Sequence, residues 1–182
     1  MLKKEEIMKK FCFSAIAGIL MFLAAGAAAK STMILNVNKG ELPDDSNECN
    51  VSLTEENVAK EGEFSMKVEF NKAGWLGMFK PKKGSWSGFK KLKFIIVNPT
   101  DSVIKDVGFC VKGAKMTNTS ENRKDFKFEI PAGKKEFTLN LVGEVCNDGK
   151  SPLDISQVYI WNFDNYADQK VSFYVQKVWL ED

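Results

Sequence analysis

Four tryptophans are the residues of this sequence whose chemistry is most informative. Trp75 lies between glycines in AGWLGMF, Trp86 in the turn GSWSGF, Trp161 in VYIWNFDNY and Trp179 close to the C-terminus. A flat ring can cover the apolar C–H face of a sugar, while neighbouring amides and carboxylates bond its hydroxyls. Such residues are candidates for carbohydrate recognition if the fold brings them to the surface.

The sequence offers few of the residue combinations that catalysis requires. The chain has no histidine, so Ser-His-Asp and Cys-His arrangements are excluded. Aspartates and glutamates are numerous, but they lie in loops of mixed charge and nothing in their spacing marks a glycosidase-like pair. We therefore expect a protein that is not an enzyme.

The N-terminus has the pattern of an export signal. Lys9 and Lys10 precede an apolar run over 11–29, which ends in small residues with Ala27 and Ala29 in the A-x-A positions. This predicts a cleaved signal peptide over 1–29, of bacterial type, and one domain over 30–182 in the periplasm or outside the cell. The alternative is an uncleaved anchor, since the run is near the lower length for a membrane span.

Charge argues against nucleic acid as a partner. The full chain has 26 basic and 24 acidic residues, and residues 1–29 contain four lysines and two glutamates, so cleavage leaves 22 of each. A neutral chain with scattered charge lacks the basic patch that nucleic-acid binding requires. After cleavage we also expect no association with a membrane.

Three cysteines follow the signal: Cys49, Cys110 and Cys146. In an exported protein two of them could pair, and the spacing does not say which. Because the chain lacks histidine and any C-x-x-C motif, no structural zinc site is expected.

From residue 30 onward the sequence alternates short apolar runs with Gly, Asn, Asp and Pro, which is typical of strands and turns. Most runs have one apolar face, as in Leu92, Phe94 and Ile96, and only 55–61 resembles a helical turn. The pattern predicts an all-β, antiparallel two-sheet β-sandwich. Strands are expected near 32–37, 50–54, 64–71, 74–79, 89–97, 104–112, 125–130, 136–142, 155–163 and 171–180.

An ordered series of six stretches runs through residues 62–182. They are GEFSMKVEF, GSWSGFKKLKFIIVNPT, DVGFCVKG, IPAGKKEFTLNL, LDISQVYIWNF and VSFYVQKVWLED. This series resembles the carbohydrate-binding-module-like (galactose-binding-like) β-sandwich domains that accompany bacterial glycoside hydrolases. The resemblance implies a jelly roll in which Trp86 is a structural plug beneath its strand.

The same resemblance bears on calcium. Such domains often have an aspartate in the closing strand that helps to hold a structural calcium ion, and the matching residue here is Gln176. An amide oxygen brings no charge, so affinity for the ion should fall. No cofactor is expected, although Asp44, Asp45, Glu48 and Asp182 could supply carboxylates to a calcium site.

The last strands supply the candidate ligand-binding residues. Alternation puts Phe173 and Val175 in the core, and a bulge at 176–177 would turn Trp179 outward. In the 155–163 strand Tyr159, Trp161 and Phe163 share one face. Either they pack in the core, or Val158 and Ile160 on the opposite face are core and Tyr159 and Trp161 face solvent. In the second case an outer platform forms from Tyr159, Trp161, Tyr174, Trp179, Asn140 and Gln176.

Two functions remain open at this point. The first is a non-catalytic carbohydrate-binding protein of the cell envelope or exterior, with a polysaccharide or oligosaccharide as partner. The second is a structural or protein-interaction β-sandwich in an envelope assembly, with protein partners and no sugar ligand. A row of solvent-facing aromatic rings in a groove would favour the first.

Overall fold

The structure is a computed structural model that describes residues 29–58, 60–113 and 119–182. The predicted signal peptide, except for Ala29, lies outside these residues. The described part of the chain contains a short 3-10 helix, Val37–Lys39, and none of its helices has the length and apolar character to cross a membrane. Its strands are β1 Ser31–Leu35, β2 Asp45–Thr54, β3 Ser65–Phe79, β4 Lys91–Asn98, β5 Ile104–Gly113, β6 Arg123–Ile130, β7 Gly133–Asn140, β8 Val158–Asn165 and β9 Val171–Glu181.

The strands pair antiparallel and form the two layers of a β-sandwich, which confirms the predicted fold class. We call one layer the front sheet; its order is β6-β5-β8, followed by residues 74–79 of β3. We call the other the back sheet; it contains residues 65–70 of β3, then β9, β4 and β7. β1 lies beside the second half of β9.

β3 belongs to both layers. Its first half pairs with β9 and its second half with β8, while β2 follows it along both halves. β2 turns the same corner through a bulge at Glu48, whose φ is 55°. Lys72 of β3 lies 3.1 Å from the carboxylate of Glu48 at this corner. The two layers are thus connected by continuous hydrogen-bonded strands.

Aromatic rings from both layers fill the core. Phe94 of β4 is fully buried and lies 5.5 Å from the ring centroid of Phe109 and 5.3 Å from that of Phe163, both of the front sheet. It also stacks on Phe137 of β7 at 5.1 Å and contacts Phe128 of β6 at 5.4 Å. Phe94 therefore joins four strands through one cluster of rings.

Period-two alternation predicted the inward faces of β4, β5 and β9 correctly. Leu92, Phe94 and Ile96 are buried, and the expected bulge in β9 lies between Val175 and Lys177, so that Val178 returns to the core. Trp86 is fully buried, and its indole N–H donates to the Lys83 carbonyl at 2.9 Å, as a structural plug would.

Two local predictions differ from the structure. The runs 64–71 and 74–79 were expected as separate strands but form the single strand β3, because both halves retain β2 as a partner. The described residues of 55–61 form turns and bends and no helix. Cys49, Cys110 and Cys146 are all free thiols.

The ring cluster should dominate stability. We expect Phe94→Ala to lower the free energy of unfolding by about 3–5 kcal/mol, because it leaves a cavity among four other rings. Val142→Ala is the control, since Val142 is 65% exposed and should change stability by less than about 0.5 kcal/mol. Urea denaturation measures both; equal effects would contradict the proposed role of the cluster.

Candidate functional site

The outer face of the front sheet forms a groove of about 270 Å³. In its central row, Gly77 of β3, Asn162 of β8 and Cys110 of β5 are direct neighbours on adjacent strands. Asp45 of β2 pairs with Gly77 at one end of the row, and Asp125 of β6 pairs with Cys110 at the other. Small side chains in the middle and polar ones at the ends give the sheet a concave outer surface.

Gly77 is required by the close approach of β3 and β8. A Cβ atom at this position would overlap the carbonyl oxygen of Trp161 and the backbone of Asn162. The two strands can approach this closely only because position 77 has no side chain.

Exposed aromatic rings lie on β3 beside this central row. Trp75 and Phe79 are two residues to either side of Gly77, so all three point to the same outer face. Each of the two rings is 40% exposed, and Trp75 lines the groove directly. Phe79 is held edge-on against Tyr159, with ring centroids 4.7 Å apart.

A third ring enters from the loop after β8. Trp75, Asp164 and Gly108 are neighbours across β3, β8 and β5, and Tyr166 lies over Gly108. A Cβ atom on Gly108 would stand 2.7 Å from the Tyr166 hydroxyl, so only glycine leaves room for the ring. That hydroxyl donates to Oδ2 of Asp164 at 3.3 Å. Asp164 is thereby placed between the rings of Trp75 and Tyr166.

A hydrogen-bond network organises the polar side of the groove. Nε of Arg123 donates to Oδ1 of Asp125 at 2.6 Å, and Nδ2 of Asn147 donates to Oδ2 of Asp125 at 2.9 Å. Nδ2 of Asn162 donates to Oδ1 of Asp164 at 2.6 Å. The orientations of these amide and guanidinium groups are fixed, which suits them to bond a ligand without further ordering.

Asp164 has the most perturbed carboxyl group of the groove. It is only 7% exposed, and burial raises its pKa to about 7. The Arg123 guanidinium opposes this rise, the carboxylate of Asp125 adds to it, and the hydrogen bonds from Tyr166 and Asn162 lower the pKa. At neutral pH the carboxyl is therefore divided between its protonated and ionised forms.

Other ionisable groups of the groove are also affected by burial. Burial raises the pKa of the Cys110 thiol, so that it stays protonated. Burial lowers the pKa of Lys112, and the charge of Arg123, its neighbour across the β5–β6 pair, acts in the same direction.

A metal site fits these residues poorly. Within the described ranges, Cys110, Asp125 and Asp164 are the one group of three acidic or thiol side chains close enough to share an ion, with ligand atoms within 4.8 Å of one another. Both oxygens of Asp125 already accept hydrogen bonds, and the Arg123 guanidinium supplies the positive charge. The same engagement makes Asp125 a poor nucleophile or base.

The side chains that the sequence offered as calcium ligands do not join the group formed by Cys110, Asp125 and Asp164. Gln176 donates its amide to the carbonyl of Asn57 at 2.5 Å. Asp44 accepts from the backbone N–H of Phe79 at 3.2 Å, and Asp45 lines the groove. A structural calcium site stays a prediction from the resemblance alone.

The expectation that Trp161 faces solvent is wrong. Trp161 is fully buried and stacks on Phe109, with centroids 5.5 Å apart. On β8 the side chains of Trp161 and Phe163 point into the core. Asn162 and Asp164, on the opposite face of the strand, therefore line the groove. Tyr159 is 8% exposed and packs against the exposed ring of Phe79, while its neighbour Val158 belongs to the core.

The other four predicted site residues lie on the back sheet, away from the groove. Tyr174 and Trp179 point to its outer face as expected, but both are largely buried. The Tyr174 hydroxyl donates to Glu56 at 2.6 Å, and the Lys177 ammonium lies 4.1 Å from the Trp179 ring centroid. Asn140 is exposed on β7 and Gln176 is half-buried. The six residues do not form one platform.

Sequence reasoning missed the residues that the groove brings together. Of these, Trp75 had a usable signal, a large ring between Gly74 and Gly77 in a strand. Asn162, Asp164 and Arg123 had none, because their proximity depends on the pairing of β5 with β6 and β8.

The perturbed carboxyl group predicts a pH effect on stability. Because the pKa of Asp164 is raised in the folded state, the fold binds a proton that the unfolded chain has released above about pH 4, so this group costs stability as pH rises through 7. The free energy of unfolding of Asp164→Asn, taken relative to that of the wild type, should be on the order of 2 kcal/mol higher at pH 8 than at pH 5. Thermal unfolding at the two pH values measures this, and a constant difference between the proteins would contradict it.

Comparisons with known proteins identify the fold. No protein-family model matches the chain, and no curated protein matches it. Solved structures do match: a family 11 carbohydrate-binding module of the cellulosomal cellulase Lic26A-Cel5E of Clostridium thermocellum is 16% identical, with a TM-score of 0.60 over 85% of this chain and 95% of that one.

Two further structures agree. A family 11 module from Clostridium thermocellum in complex with a β-1,3-1,4-mixed-linked tetrasaccharide is 12% identical, with a TM-score of 0.56 over 87% of this chain and 91% of that one. An exo-β-agarase is 15% identical, with a TM-score of 0.65 over 82% of this chain but 25% of its own length. The chain thus has the β-sandwich fold of the carbohydrate-binding modules, as the resemblance implied.

Proposed function

We propose that this protein is a non-catalytic carbohydrate-binding protein that holds a glycan across the outer face of the front sheet. The observation that carries the proposal is the exposed ring of Trp75 at the edge of a groove with polar groups on its floor. A pyranose stacked on this ring would present its hydroxyls to Asn162, Asp164 and Arg123. This replaces the platform expected around Trp161.

The absence of catalysis is part of the proposal. Two carboxyl groups beside the Arg123 guanidinium, those of Asp125 and Asp164, are both engaged by neighbouring donors. They are suited to fixing the positions of Arg123, Asn162 and Tyr166 and to accepting ligand hydroxyls. The similar modules are described as carbohydrate-binding, which supports this reading.

The proposal is tested by affinity electrophoresis and calorimetry against a panel of glycans. The panel contains mixed-linked β-1,3-1,4-glucan, cellohexaose and agar oligosaccharides, chosen because similar structures hold such ligands or belong to an agarase. Retention by none of them, together with pull-down of an envelope protein, would instead favour the structural or protein-interaction alternative.

Trp75→Ala should weaken binding of any retained glycan by on the order of tenfold or more, because burying a large apolar side chain is worth about 1.5–3 kcal/mol. Matched controls lie on the back sheet: Tyr174→Phe and Gln176→Ala should leave the affinity unchanged. Loss of binding in the controls but not in Trp75→Ala would move the site to the back sheet.

Export is a further part of the proposal. The charged and apolar segments before residue 30 support a cleaved signal and a periplasmic or secreted protein of a bacterial cell. Expression in a bacterium should yield an exported form whose mass corresponds to a chain that begins at Lys30. A membrane-bound form of full mass would favour the uncleaved anchor.

A further inference from the structure

We propose that the ionisation of Asp164 controls ligand affinity in the groove, so that binding weakens when this carboxyl group takes up a proton. The inference rests on the proposed function, because it concerns the same groove. It adds a regulatory property that the presence of a binding surface does not imply.

The geometry around Asp164 disfavours a permanent charge. The side chain is almost completely buried, and one of its oxygens lies within 4.8 Å of a carboxylate oxygen of Asp125 and of the Cys110 thiol. Burial and a second carboxylate both favour the protonated form of an acid. Three groups favour the ionised form: the positive charge of the Arg123 guanidinium, and the hydrogen bonds donated by the Tyr166 hydroxyl and the Asn162 amide.

The elements packed around the carboxyl group present both charged and uncharged side chains to the groove. β3 presents the uncharged Trp75, and β8 itself presents Asn162. The charged or titratable groups that face the groove from the other elements are Asp45 of β2, Cys110 and Lys112 of β5, Arg123, Asp125 and Lys127 of β6, and Tyr166 of the loop after β8. Burial raises the pKa of Asp164, the charge of Arg123 is the largest effect that opposes it, and the pKa is about 7.

Protonation would change what the groove offers to a ligand. The ionised carboxyl accepts from Asn162 and Tyr166 and has lone pairs left for a sugar hydroxyl. The protonated form carries no charge, and one of its oxygens becomes a donor, which the Tyr166 hydroxyl can accept, so the group has fewer lone pairs left for a sugar hydroxyl. A glycan that bonds the carboxylate therefore stabilises the ionised form and lowers its pKa, so affinity falls as pH falls through 7.

The composition of the chain makes this effect easy to isolate. The side chain whose ordinary pKa lies near neutrality is histidine, and the sequence contains none. The thiols of Cys49, Cys110 and Cys146 have raised pKa values and stay protonated in this range. A side-chain titration between pH 6 and 8 thus points to Asp164.

The first measurement needs no ligand. Carboxyl carbon chemical shifts of the wild-type protein, followed from pH 4 to 9, should include one aspartate that titrates near pH 7 and is missing from Asp164→Asn. Titration of every aspartate below pH 5 would overturn the inference.

The second measurement follows binding. Calorimetry with the glycans that the panel retains should give an affinity at pH 8.5 on the order of tenfold higher than at pH 5.5, the ratio for a ligand that lowers the pKa by about one unit. Retention with the same affinity at both pH values contradicts this inference and leaves the proposed function intact. No retention at either pH contradicts the proposed function, and with it the inference.

Two variants shift the transition in opposite directions. Tyr166→Phe removes a hydrogen bond to the carboxylate and should move the midpoint to higher pH, whereas Asp125→Asn removes a neighbouring negative charge and should move it to lower pH. Asp164→Asn should bind with a flat pH profile, after circular dichroism confirms that it is folded. An unchanged midpoint in both shifting variants would assign the titration to another group.

Discussion

The passage of β3 through both layers is the constraint on which the rest of the structure depends. Its first half contributes Met66, Val68 and Phe70 to the core beneath the back sheet, and its second half carries the groove residues Trp75, Gly77 and Phe79. Because successive side chains of a strand alternate in direction, once Leu76 is buried, Trp75 and Gly77 must face outward. The packing of Leu76 in the core therefore also places the ring of Trp75 on the outer face.

The second organising feature is the polar network in the centre of the front sheet. Burying Asp164 near Asp125 is costly, and the cost is offset because each carboxyl oxygen has a donor among Arg123, Asn147, Asn162 and Tyr166. Hydrophobic side chains at these positions would stabilise the sheet more simply. The network instead keeps donors and acceptors oriented beside an exposed ring, which is what a glycan-binding groove requires.

The prediction of the site failed on β8 for a specific reason. In VYIWNFDN the first residues of both faces are apolar, so alternation over 155–163 did not say which face was the core. The answer came from register: Trp161 stands beside Met78 and Val111, which are inward residues, while Asn162 stands beside Gly77 and Cys110. Within β8 itself, only the polar residues Asn162 and Asp164 indicate the outward face.

The sequence by itself determined the all-β class, nearly all of the strands and the inward faces of β4, β5 and β9, because these follow from alternation along one strand and from local turns. The burial of Trp86 was implied only by the resemblance to carbohydrate-binding-module-like domains. Only the tertiary structure decided that Trp75 and not Trp161 meets solvent, and that Arg123, Asp125 and Asp164 share one groove. Those facts depend on which strands pair and in what register, and the pairing of β5 with β8 joins residues about 50 positions apart in the chain. Side-chain contacts over such distances are set by the packing of the whole sandwich, which no local pattern encodes.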